Sequence, residues 1–496
     1  MTYLKLHDRS REDIWMLAVA LITAMAALVR FYHLGGESLW LDEATSLFLA
    51  RMELREMVGW TAVDIHPPFY YSLLHYWLAL GSSEGAIRAL SALAGTLTVP
   101  LVYGIGRSLF DRATGLAGAL LLALSPFHLW YSQETRMYVL LALLTTCSAY
   151  CMLELLRGKG WPAWVGYVLT TSLSLYTHYY AFFIVLFQNL FMAYLCLTDS
   201  RWRRTLGGWI PAQAAVSLCF APWLPVLVRQ VSQGGGGWVA RSLGAPPIDV
   251  LVHTAMAYII GMTRHWYPSL ARRAAYLLFG ACGALASLGV RKRESSQARL
   301  SNTQALVFVV AYLVVPLGTA WVLSQWKPMY AMRYLLPFLP AFLLLVARGA
   351  TVVRWPWVRW GLVVLLALTQ AVGVFINVRE AQNPDWRSTA AYVVERSESG
   401  DVVMFSPGWN VKPFDYYAQG VVDVYGDAPV PLPEEGLEEV LAEHLAGHRR
   451  LWLIHEPGHY TDPEGLLEQE LDSLYSRLGA WEYRGVGRVV LYQIER

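Results

Sequence analysis

The sequence predicts a polytopic α-helical membrane protein that carries a soluble α/β domain at its C-terminal end. Hydrophobic residues make up 55% of the 496 residues and charged residues only 15%, whereas a soluble protein has about 25% charged residues. Long apolar runs recur from Ile14 onward, and each is near the length that crosses a hydrocarbon core of roughly 30 Å. From about Val378 charged residues become frequent, which predicts a membrane domain over residues 1–377 and a soluble domain over residues 378–496.

The apolar runs predict about eleven transmembrane helices. In chain order these are Ile14–Tyr32, Ile87–Ile105, Ala113–Trp130, Tyr138–Leu156, Trp164–Phe182, Phe183–Leu197, Leu206–Val226, Ala274–Val290, Ala305–Leu323, Leu335–Val346 and Val358–Phe375. The segment Pro67–Leu80 is apolar but short, and it fits a helix on the membrane surface better than a span. Residues Ile248–Ile259 suggest a second helix of this kind.

Positive residues collect in alternate loops, such as those with Arg107 and Arg112 or with Arg201 and Arg203. Loops rich in lysine and arginine stay in the cytoplasm, so the N-terminus is predicted to be cytoplasmic. An odd number of spans then places the C-terminal domain outside, together with the loop over residues 33–86. The glycines Gly234–Gly237 predict a mobile loop on the same outer face, suited to a lid over a site.

The C-terminal domain is predicted from alternating strand and helix patterns. The strand-like runs are Val402–Phe405, Leu451–Ile454 and Val489–Tyr492, and the helix-like runs between them are Leu437–Leu445 and Pro463–Leu478. A Gly-rich phosphate loop is missing from its sequence, so no nucleotide site is predicted. Basic residues are scattered between apolar segments, which argues against nucleic acid as a partner.

A short acidic loop, Glu37–Ser46, follows the first helix directly. A carboxylate near hydrocarbon is costly, so this loop is predicted to have a function. Asp42 and Glu43 are adjacent and would point in different directions on a helix or a strand. One is therefore expected to be a catalytic group, and the other a structural or metal-binding partner. The alternative is a helix N-terminal turn, where acidic residues favour the helix dipole.

Several cations and aromatic residues lie on the outer side with the acidic loop. Arg136 and Arg333 sit at predicted membrane boundaries, where a lone arginine can simply extend to lipid head groups. Gathered with Lys327 and His66 on the face of the acidic loop, they favour a phosphate site, because guanidinium grips phosphate through two hydrogen bonds. His178 stands between tyrosines, and packing and a site role are equally open for it.

The stretch His66-Pro67-Pro68 is predicted to begin a helix, with both prolines in its first turn. The backbone N–H groups of such a turn attract an anion; the alternative is a surface turn with an interfacial histidine. The predicted site thus combines one carboxylate base with several cations, beside a membrane that delivers lipid. This combination fits an enzyme that transfers a group from a lipid phosphate.

Four motifs occur in a particular order in the chain. They are Leu41-Asp42-Glu43, His66-Pro67-Pro68-Phe69-Tyr70-Tyr71, Tyr131-Ser132-Gln133-Glu134-Thr135-Arg136-Met137-Tyr138 and Arg333-Tyr334-Leu335-Leu336-Pro337. As an ordered set they resemble the bacterial membrane glycosyltransferases of the GT-C fold. The most similar group is glycosyltransferase family 39-like, related to protein O-mannosyltransferases and to the aminoarabinose transferase of lipid A. The resemblance extends from about Arg30 to Pro337.

This resemblance implies a polyprenyl-phosphate-linked sugar as donor, such as a hexose or mannose, and inversion at the anomeric carbon. It places the reaction at the outer face of the bacterial cytoplasmic membrane. Asp42, or else Glu43, would be the general base, while Arg136 and Arg333 would hold the phosphate. His66 takes a position where some relatives have lysine.

Tyr70, Tyr138 and His178 are further candidates for substrate binding within or near these motifs. No cofactor is firmly implied, but acidic loops of this fold can bind a divalent metal, here through Asp42 or Glu43. The acceptor could be a glycan, a lipid or a protein, although the β-trefoil domain of eukaryotic protein O-mannosyltransferases is not visible in the sequence.

Two alternatives to this function remain. An oligosaccharyltransferase shares the fold class but needs a Trp-Trp-Asp-type motif, which Ser406-Pro407-Gly408-Trp409-Asn410 does not supply. A transporter or lipid flippase would have ionisable residues near mid-membrane and internal repeats. The candidate residues here cluster instead at one predicted face.

Overall fold

The structure is a computed structural model, which describes residues 2–233, 244–262, 268–289, 300–380, 383–421, 423–425 and 437–494. The chain forms two compact units. The first, called the membrane unit below, comprises Met1–Leu34, Glu53–Gly81 and Ile87–Glu380. The second, called the tail unit, comprises Gly35–Met52, Ser82–Ala86 and Ala381–Arg496. The predicted lid at Gly234–Gly237 lies outside the described residues.

Long apolar helices form the membrane unit, which confirms a polytopic membrane protein. Within the described residues, eight helical segments are long and apolar enough to cross a membrane, or nine if a bent pair is one span. The eight are Glu12–Phe31, Glu84–Leu109, Tyr138–Leu156, Ala181–Thr198, Ser200–Ser232, Asn302–Leu323, Met332–Thr351 and Pro356–Arg379. Trp161–Thr177 and Ser269–Leu285 have 17 residues each. The number of eleven spans therefore stays a prediction.

The predicted span Ala113–Trp130 is in fact two helices, Arg112–Ala123 and Pro126–Ser132, bent by 57°. Ser125 caps the second helix by accepting a hydrogen bond from the backbone N–H of His128, and Pro126 occupies its first turn. The last carbonyls of the first helix need other donors. The buried Arg30 supplies them, at 3.1 Å to the carbonyl oxygens of both Leu122 and Ala123.

Shorter helices complete the membrane unit. They are Leu54–Val63, Phe69–Trp77 and Val250–Ile260, with 3-10 turns at Leu78–Leu80 and Ala286–Gly289. Helices are thus present in both Pro67–Leu80 and Ile248–Ile259, and their position on the membrane surface stays a prediction. One detail of the prediction is wrong: Pro67 and Pro68 precede the helix, which begins at Phe69, because Pro68 is its N-cap residue.

The tail unit is built on a five-stranded mixed sheet. Its strands are β1 (Asp401–Ser406), β2 (Asp423–Tyr425), β3 (Arg450–His455), β4 (Ser476–Tyr483) and β5 (Gly487–Gln493), in the order β2-β1-β3-β5-β4. β1 is parallel to β2 and β3, whereas β5 is antiparallel to β3 and β4. The predicted α/β domain is confirmed, with β1, β3 and β5 close to their predicted positions.

Helices cover the sheet on both faces. They are Trp386–Arg396, Val411–Ala418, Leu437–Leu445 and Leu466–Leu474. One core contains Trp386, Phe405 and Phe414, and the other contains Leu441 and Leu467. The predicted helix Pro463–Leu478 is therefore too long, because its last residues already belong to β4, which pairs with β5 as a hairpin.

The predicted acidic loop is helical in the structure. Leu41–Arg51 is an α-helix, and Asp42 and Glu43 stand in its first turn. The alternative of a helix N-terminal turn is thus the one observed, and it matches the preference of acidic residues for the positive end of the helix dipole. This helix belongs to the tail unit, where it packs against Val411–Ala418.

Candidate active site

Five of the predicted site residues surround one another in the membrane unit. The imidazole rings of His66 and His178 have their centres 5.5 Å apart. The guanidinium carbons of Arg136 and Arg333 lie 5.6 Å and 5.8 Å from the ring centre of Tyr138, which is itself 6.4 Å from the His178 ring. These five residues are called the cationic cluster below.

Tyr334 also belongs here, although sequence reasoning did not single it out. Its ring lies 4.7 Å from that of His178 and 5.8 Å from that of Tyr138. The position directly after Arg333 in the Arg-Tyr-Leu-Leu-Pro motif was the available signal. A guanidinium group stacks on aromatic rings as well as binding oxygens, so these rings suit the two arginines.

The backbone near Arg136 is fixed by short-range contacts. Arg136 follows Pro126–Ser132, and its backbone N–H donates to the carbonyl of Glu134 at 2.9 Å. The hydroxyl of Ser91 donates to the carbonyl of Arg136 at 3.4 Å. Its guanidinium in turn donates to the Tyr138 hydroxyl at 3.3 Å. The bend that Arg30 caps lies just upstream, so the buried arginine of the first helix helps to place Arg136.

Arg333 stands on a 3-10 turn, Met332–Phe338, that tyrosines from other helices hold in place. Such turns have poorer hydrogen-bond geometry than an α-helix, so their carbonyls need side-chain donors. The hydroxyl of Tyr180 donates to Met329 at 2.6 Å, that of Tyr258 to Leu335 at 2.6 Å, and that of Tyr312 to Pro337 at 3.1 Å. Three buried hydroxyls thus fix the backbone on both sides of Arg333.

His66 has an acidic neighbour. Its Nδ1 lies 3.5 Å from Oδ2 of Asp64. Burial alone would raise the pKa of Asp64, but the hydrogen bond and charge of His66, with smaller contributions from the Ile65 N–H and Arg136, hold that pKa below its ordinary value. The loop is anchored by Gln230, whose amide donates to the carbonyl of Asp64 and, at 3.0 Å, to that of Thr61.

His178 is a neutral hydrogen-bond donor. Burial lowers its pKa well below the ordinary range, and the positive charges of His66, Arg136 and Arg333 lower it further. Its Nδ1 accepts a hydrogen bond from the backbone N–H of Tyr180 at 3.2 Å, so the single proton of the neutral ring is on Nε2. The cluster therefore combines two permanent cations with one neutral N–H donor.

The two other predicted residues of the membrane unit have their own contacts. Tyr70 is fully buried on Phe69–Trp77, with its ring 5.7 Å from that of Tyr71. The amine of Lys327 donates to the carbonyl of Val231 at 3.2 Å. Substrate binding by Tyr70 and phosphate binding by Lys327 stay predictions.

The two predicted catalytic carboxylates differ in environment within the tail unit. Glu43 is completely buried, and its Oε2 lies 3.4 Å from the amide nitrogen of Asn383. The same nitrogen donates to the carbonyl of Ser38 at 2.9 Å. Asp42 is half-buried, so it is the more accessible of the two. Asn383 was not predicted, because nothing in the sequence links it to a residue 340 positions earlier.

Among the residues that the structure describes, no three His, Cys, Asp or Glu side chains are close enough together to hold a metal ion. A metal at Asp42 or Glu43 stays a prediction.

Comparisons with known proteins agree with this architecture. Residues 65–228 match the family model described as dolichyl-phosphate-mannose-protein mannosyltransferase. Apo ArnT from Cupriavidus metallidurans is 13% identical over 96% of this chain and 97% of its own, with a TM-score of 0.63. The same protein bound to undecaprenyl phosphate is also 13% identical, covers 96% and 98%, and has a TM-score of 0.61.

The Archaeoglobus fulgidus oligosaccharyltransferase in its apo form is a more distant similarity. It is 12% identical over 89% of this chain and 69% of its own, with a TM-score of 0.57. A search of curated proteins found no match. The chain is thus a polytopic membrane protein of the GT-C fold, and the predicted resemblance to glycosyltransferases related to ArnT and to the protein O-mannosyltransferases is confirmed.

Proposed function

We propose that this protein is an inverting glycosyltransferase that moves a sugar from a polyprenyl-phosphate donor to an acceptor hydroxyl. The cationic cluster is the observation that carries the proposal. Arg136, Arg333 and the neutral His178 converge on one buried aromatic site, and they offer the donors that a phosphate monoanion or dianion needs. The similar fold of ArnT, which binds undecaprenyl phosphate, supports a lipid-linked donor.

The leaving group is the lipid phosphate. As the bond between the anomeric carbon and the phosphate oxygen breaks, negative charge grows on the phosphate, and Arg136 and Arg333 stabilise it more strongly than the ground state. The Nε2–H of His178 adds a neutral hydrogen bond. His66, beside Asp64, is the fourth group assigned to the phosphate, and Lys327 is the fifth.

The acceptor is activated by Asp42. Its carboxylate takes the proton of the acceptor hydroxyl while the oxygen attacks the anomeric carbon opposite the departing phosphate, which inverts that centre. Glu43 is assigned a supporting role, because it is buried and contacts Asn383. Tyr70 and Tyr138 are assigned to the substrate. A divalent metal at Asp42 or Glu43 is the open part of this assignment.

The proposal includes a location. The distribution of arginine among the loops supports a cytoplasmic N-terminus in the inner membrane of a bacterium, with the reaction and the tail unit on the outer side. The match over residues 65–228 to a mannosyltransferase family model favours a hexose such as mannose as the transferred sugar. The acceptor is a glycan, a lipid or a protein.

Purified protein in detergent would be tested with radiolabelled polyprenyl-phosphate sugars, with and without chelator. Asp42→Asn is expected to lower transfer by about 10²–10⁴-fold, the usual contribution of a general base. Asp13→Asn serves as the control, because Asp13 is exposed on the first helix. Near-normal transfer by Asp42→Asn would exclude Asp42 as the base. Silence of folded wild-type protein with every donor would favour the transporter or flippase alternative, and loss with chelator would establish a metal requirement.

A further inference from the structure

A polar and aromatic pocket lies within the tail unit, outside every residue assigned above. It has a volume of about 810 Å³, and its wall includes Arg51, Arg387, Asp415, Tyr416, Tyr417 and Gln419. This volume lies within the range of about 300–1,000 Å³ that is typical of small-molecule sites. All of these residues belong to one compact unit, so the pocket is a feature of that unit itself.

We propose that this pocket binds a neutral carbohydrate and that its ligand is the glycan acceptor of the reaction. The second half of this inference rests on the proposed function. A sugar ring has apolar C–H faces and a rim of hydroxyl groups, so it needs aromatic surface together with donors and acceptors placed around it. The rings of Tyr416 and Tyr417 stand at 88° with their centres 4.8 Å apart, which provides two aromatic surfaces in different orientations.

The charges on the pocket wall favour a neutral ligand. Two arginines, Arg51 and Arg387, are matched by two carboxylates, Glu84 and Asp415. Arg387 and Glu84 are paired with each other at 2.7 Å, so neither creates an excess of one sign. Hydroxyl groups can bind both carboxylate and guanidinium through charge-assisted hydrogen bonds, whereas a phosphate or an ammonium ligand would be repelled by half of the wall.

The two tyrosines are held in place before any ligand binds. The Tyr417 hydroxyl donates to Oε1 of Glu84 at 3.1 Å and accepts from the backbone N–H of Leu39 at 2.8 Å. The Tyr416 hydroxyl donates to the carbonyl of Ser82 at 3.0 Å. A site whose aromatic groups are already fixed loses little conformational freedom on binding. The wall is therefore preorganised from three separate stretches of the chain.

Exposed polar groups stand at the rim of the same pocket. The side chains of Asp415 and Gln419 are both exposed. Gln419 is the C-cap residue of Val411–Ala418 and has the left-handed φ of 52° that is common where a helix ends. Its amide offers a donor and an acceptor to neighbouring hydroxyl groups.

One helix connects this pocket with the proposed base. Arg51 is the last residue of Leu41–Arg51, and Asp42 is in the first turn of the same helix. Nine residues at 1.5 Å each separate them by about 14 Å along the axis. A short oligosaccharide anchored in the pocket can span this length, so the inference predicts an acceptor larger than a monosaccharide.

The test is direct binding, measured without turnover. Full-length Asp42→Asn protein in detergent would be applied to an array of neutral and acidic oligosaccharides, and the affinity for the best neutral one would be measured by titration calorimetry. Tyr416→Ala and Asp415→Asn are each expected to weaken that affinity at least tenfold. Tyr460→Ala and Glu438→Gln serve as controls, because both residues are exposed elsewhere in the tail unit.

Each result decides for or against the proposal. Failure of folded protein to bind any neutral oligosaccharide overturns it, and so does binding that is equal in all four variants. Preference for acidic glycans would overturn the charge argument. Donor turnover by wild-type protein is measured separately with water as acceptor. Donor turnover without glycan binding removes only this inference, whereas glycan binding without donor turnover removes the proposed glycosyl transfer and leaves a carbohydrate-binding site.

Discussion

Arg136 and Arg333 reach the same tyrosine from segments that are almost 200 residues apart in the chain. Arg136 also hydrogen-bonds the Tyr138 hydroxyl, whereas Arg333 lies 5.9 Å from the ring centre of Tyr334. Arg136 is buried and Arg333 is half-buried. Two guanidinium groups in such a setting can grip one phosphate from two directions, and each offers a planar pair of donors that lysine lacks.

Replacing either arginine with lysine tests this geometry. Arg136→Lys and Arg333→Lys keep the charge but lose the paired N–H donors, and a hydrogen bond to a charged group is worth about 1.5–3 kcal/mol. The expected result is a rise in the donor KM of about 10- to 100-fold, measured in the radiolabelled assay. Arg157→Lys is the control, because Arg157 follows the other end of Tyr138–Leu156, about 28 Å away along that helix.

Lys327 provides a contrast in the same assay. Lys327 is predicted from the sequence to bind the donor phosphate, and in the structure its amine donates to the carbonyl of Val231. A donor KM that rises in Lys327→Met as it does in Arg333→Lys would support the original assignment. Unchanged donor kinetics in both arginine variants would contradict the role given to the cationic cluster.

A site residue could be predicted from the sequence where its residue type and its position in the chain both pointed to the same role. A lone arginine at a membrane boundary is ordinary, and Arg136, Arg333 and His66 were predicted as a phosphate site because they gather on the predicted face of the acidic loop. Tyr334 was missed because a tyrosine near a membrane boundary is ordinary. Asn383 was missed because its contact with Glu43 depends on tertiary folding, which no local pattern encodes.

At the scale of elements, β1 and β3 are joined by a charged group as well as by backbone pairing. Asp401 at the start of β1 is buried and receives two hydrogen bonds from Arg450 of β3, at 2.8 Å and 2.7 Å. The indole N–H of Trp452 adds a third at 3.0 Å. Burial alone would raise the pKa of Asp401, but these bonds and the backbone N–H of Glu398 outweigh it and lower that pKa.

The stability of the tail unit should therefore depend on this carboxylate. A lowered pKa in the fold means that its stabilisation is complete above the ordinary value of about 3.9 and is lost as the pH falls through the folded value. Asp401→Asn is expected to cost about 1.5–3 kcal/mol, because it weakens the charge-assisted hydrogen bonds from Arg450, while Arg450 keeps its pair with Glu398 at 2.7 Å. It should also flatten the acid dependence of unfolding below about pH 4.

Thermal unfolding of the full chain in detergent, followed by near-ultraviolet circular dichroism, measures both effects. Glu395→Gln is the matched control, because Glu395 forms an exposed pair with Arg396 and such pairs contribute less than about 1 kcal/mol. Equal unfolding temperatures for the two variants at neutral pH would show that Asp401 does not hold the strands together.

The helices and strands themselves were predictable to different degrees. The long helix Tyr138–Leu156 agrees with the prediction to the residue, since the hydrocarbon thickness sets the length of a spanning helix. The 57° break after Ala123 was missed because both halves are apolar. Strand β4 was missed because its residues are largely exposed, and its identity comes from pairing with β5 rather than from its own pattern.

For the whole molecule, the set of chain segments that make up the tail unit is the feature least predictable from the sequence. The unit takes in Gly35–Met52 and Ser82–Ala86, more than 300 residues before the helices Trp386–Arg396 and Val411–Ala418 that they contact. Arg387 donates to the carbonyl of Gly35 at 3.0 Å and to Glu84 at 2.7 Å, and the backbone N–H of Leu39 donates to Tyr417. Sequence composition separated residues 378–496 from the rest, but it contained no sign that the acidic helix packs with them.

The segments that make up the tail unit predict how a truncated chain should behave. Deleting Asp385–Arg496 removes Val411–Ala418, against which the helix of Asp42 packs, and removes most of the wall of the proposed carbohydrate pocket. The cationic cluster consists only of residues from the membrane unit and remains. The truncated protein is therefore expected to bind polyprenyl phosphate within a few-fold of the full chain, but to lose acceptor transfer by at least the 10²–10⁴-fold attributed to the base, about 3–5 kcal/mol in activation free energy.

Polyprenyl phosphate binding would be measured by native mass spectrometry and by thermal stabilisation, and transfer by the radiolabelled assay. Asp42→Asn in the full chain is the matched comparison, because it removes the proposed base without removing the tail unit. If the truncated protein and full-length Asp42→Asn bind the lipid equally well, donor recognition lies in the membrane unit alone. Equal loss of lipid binding and transfer on truncation, in protein whose helical circular dichroism is intact, would instead show that donor recognition also needs the tail unit, and the division of labour between the two units would have to be abandoned.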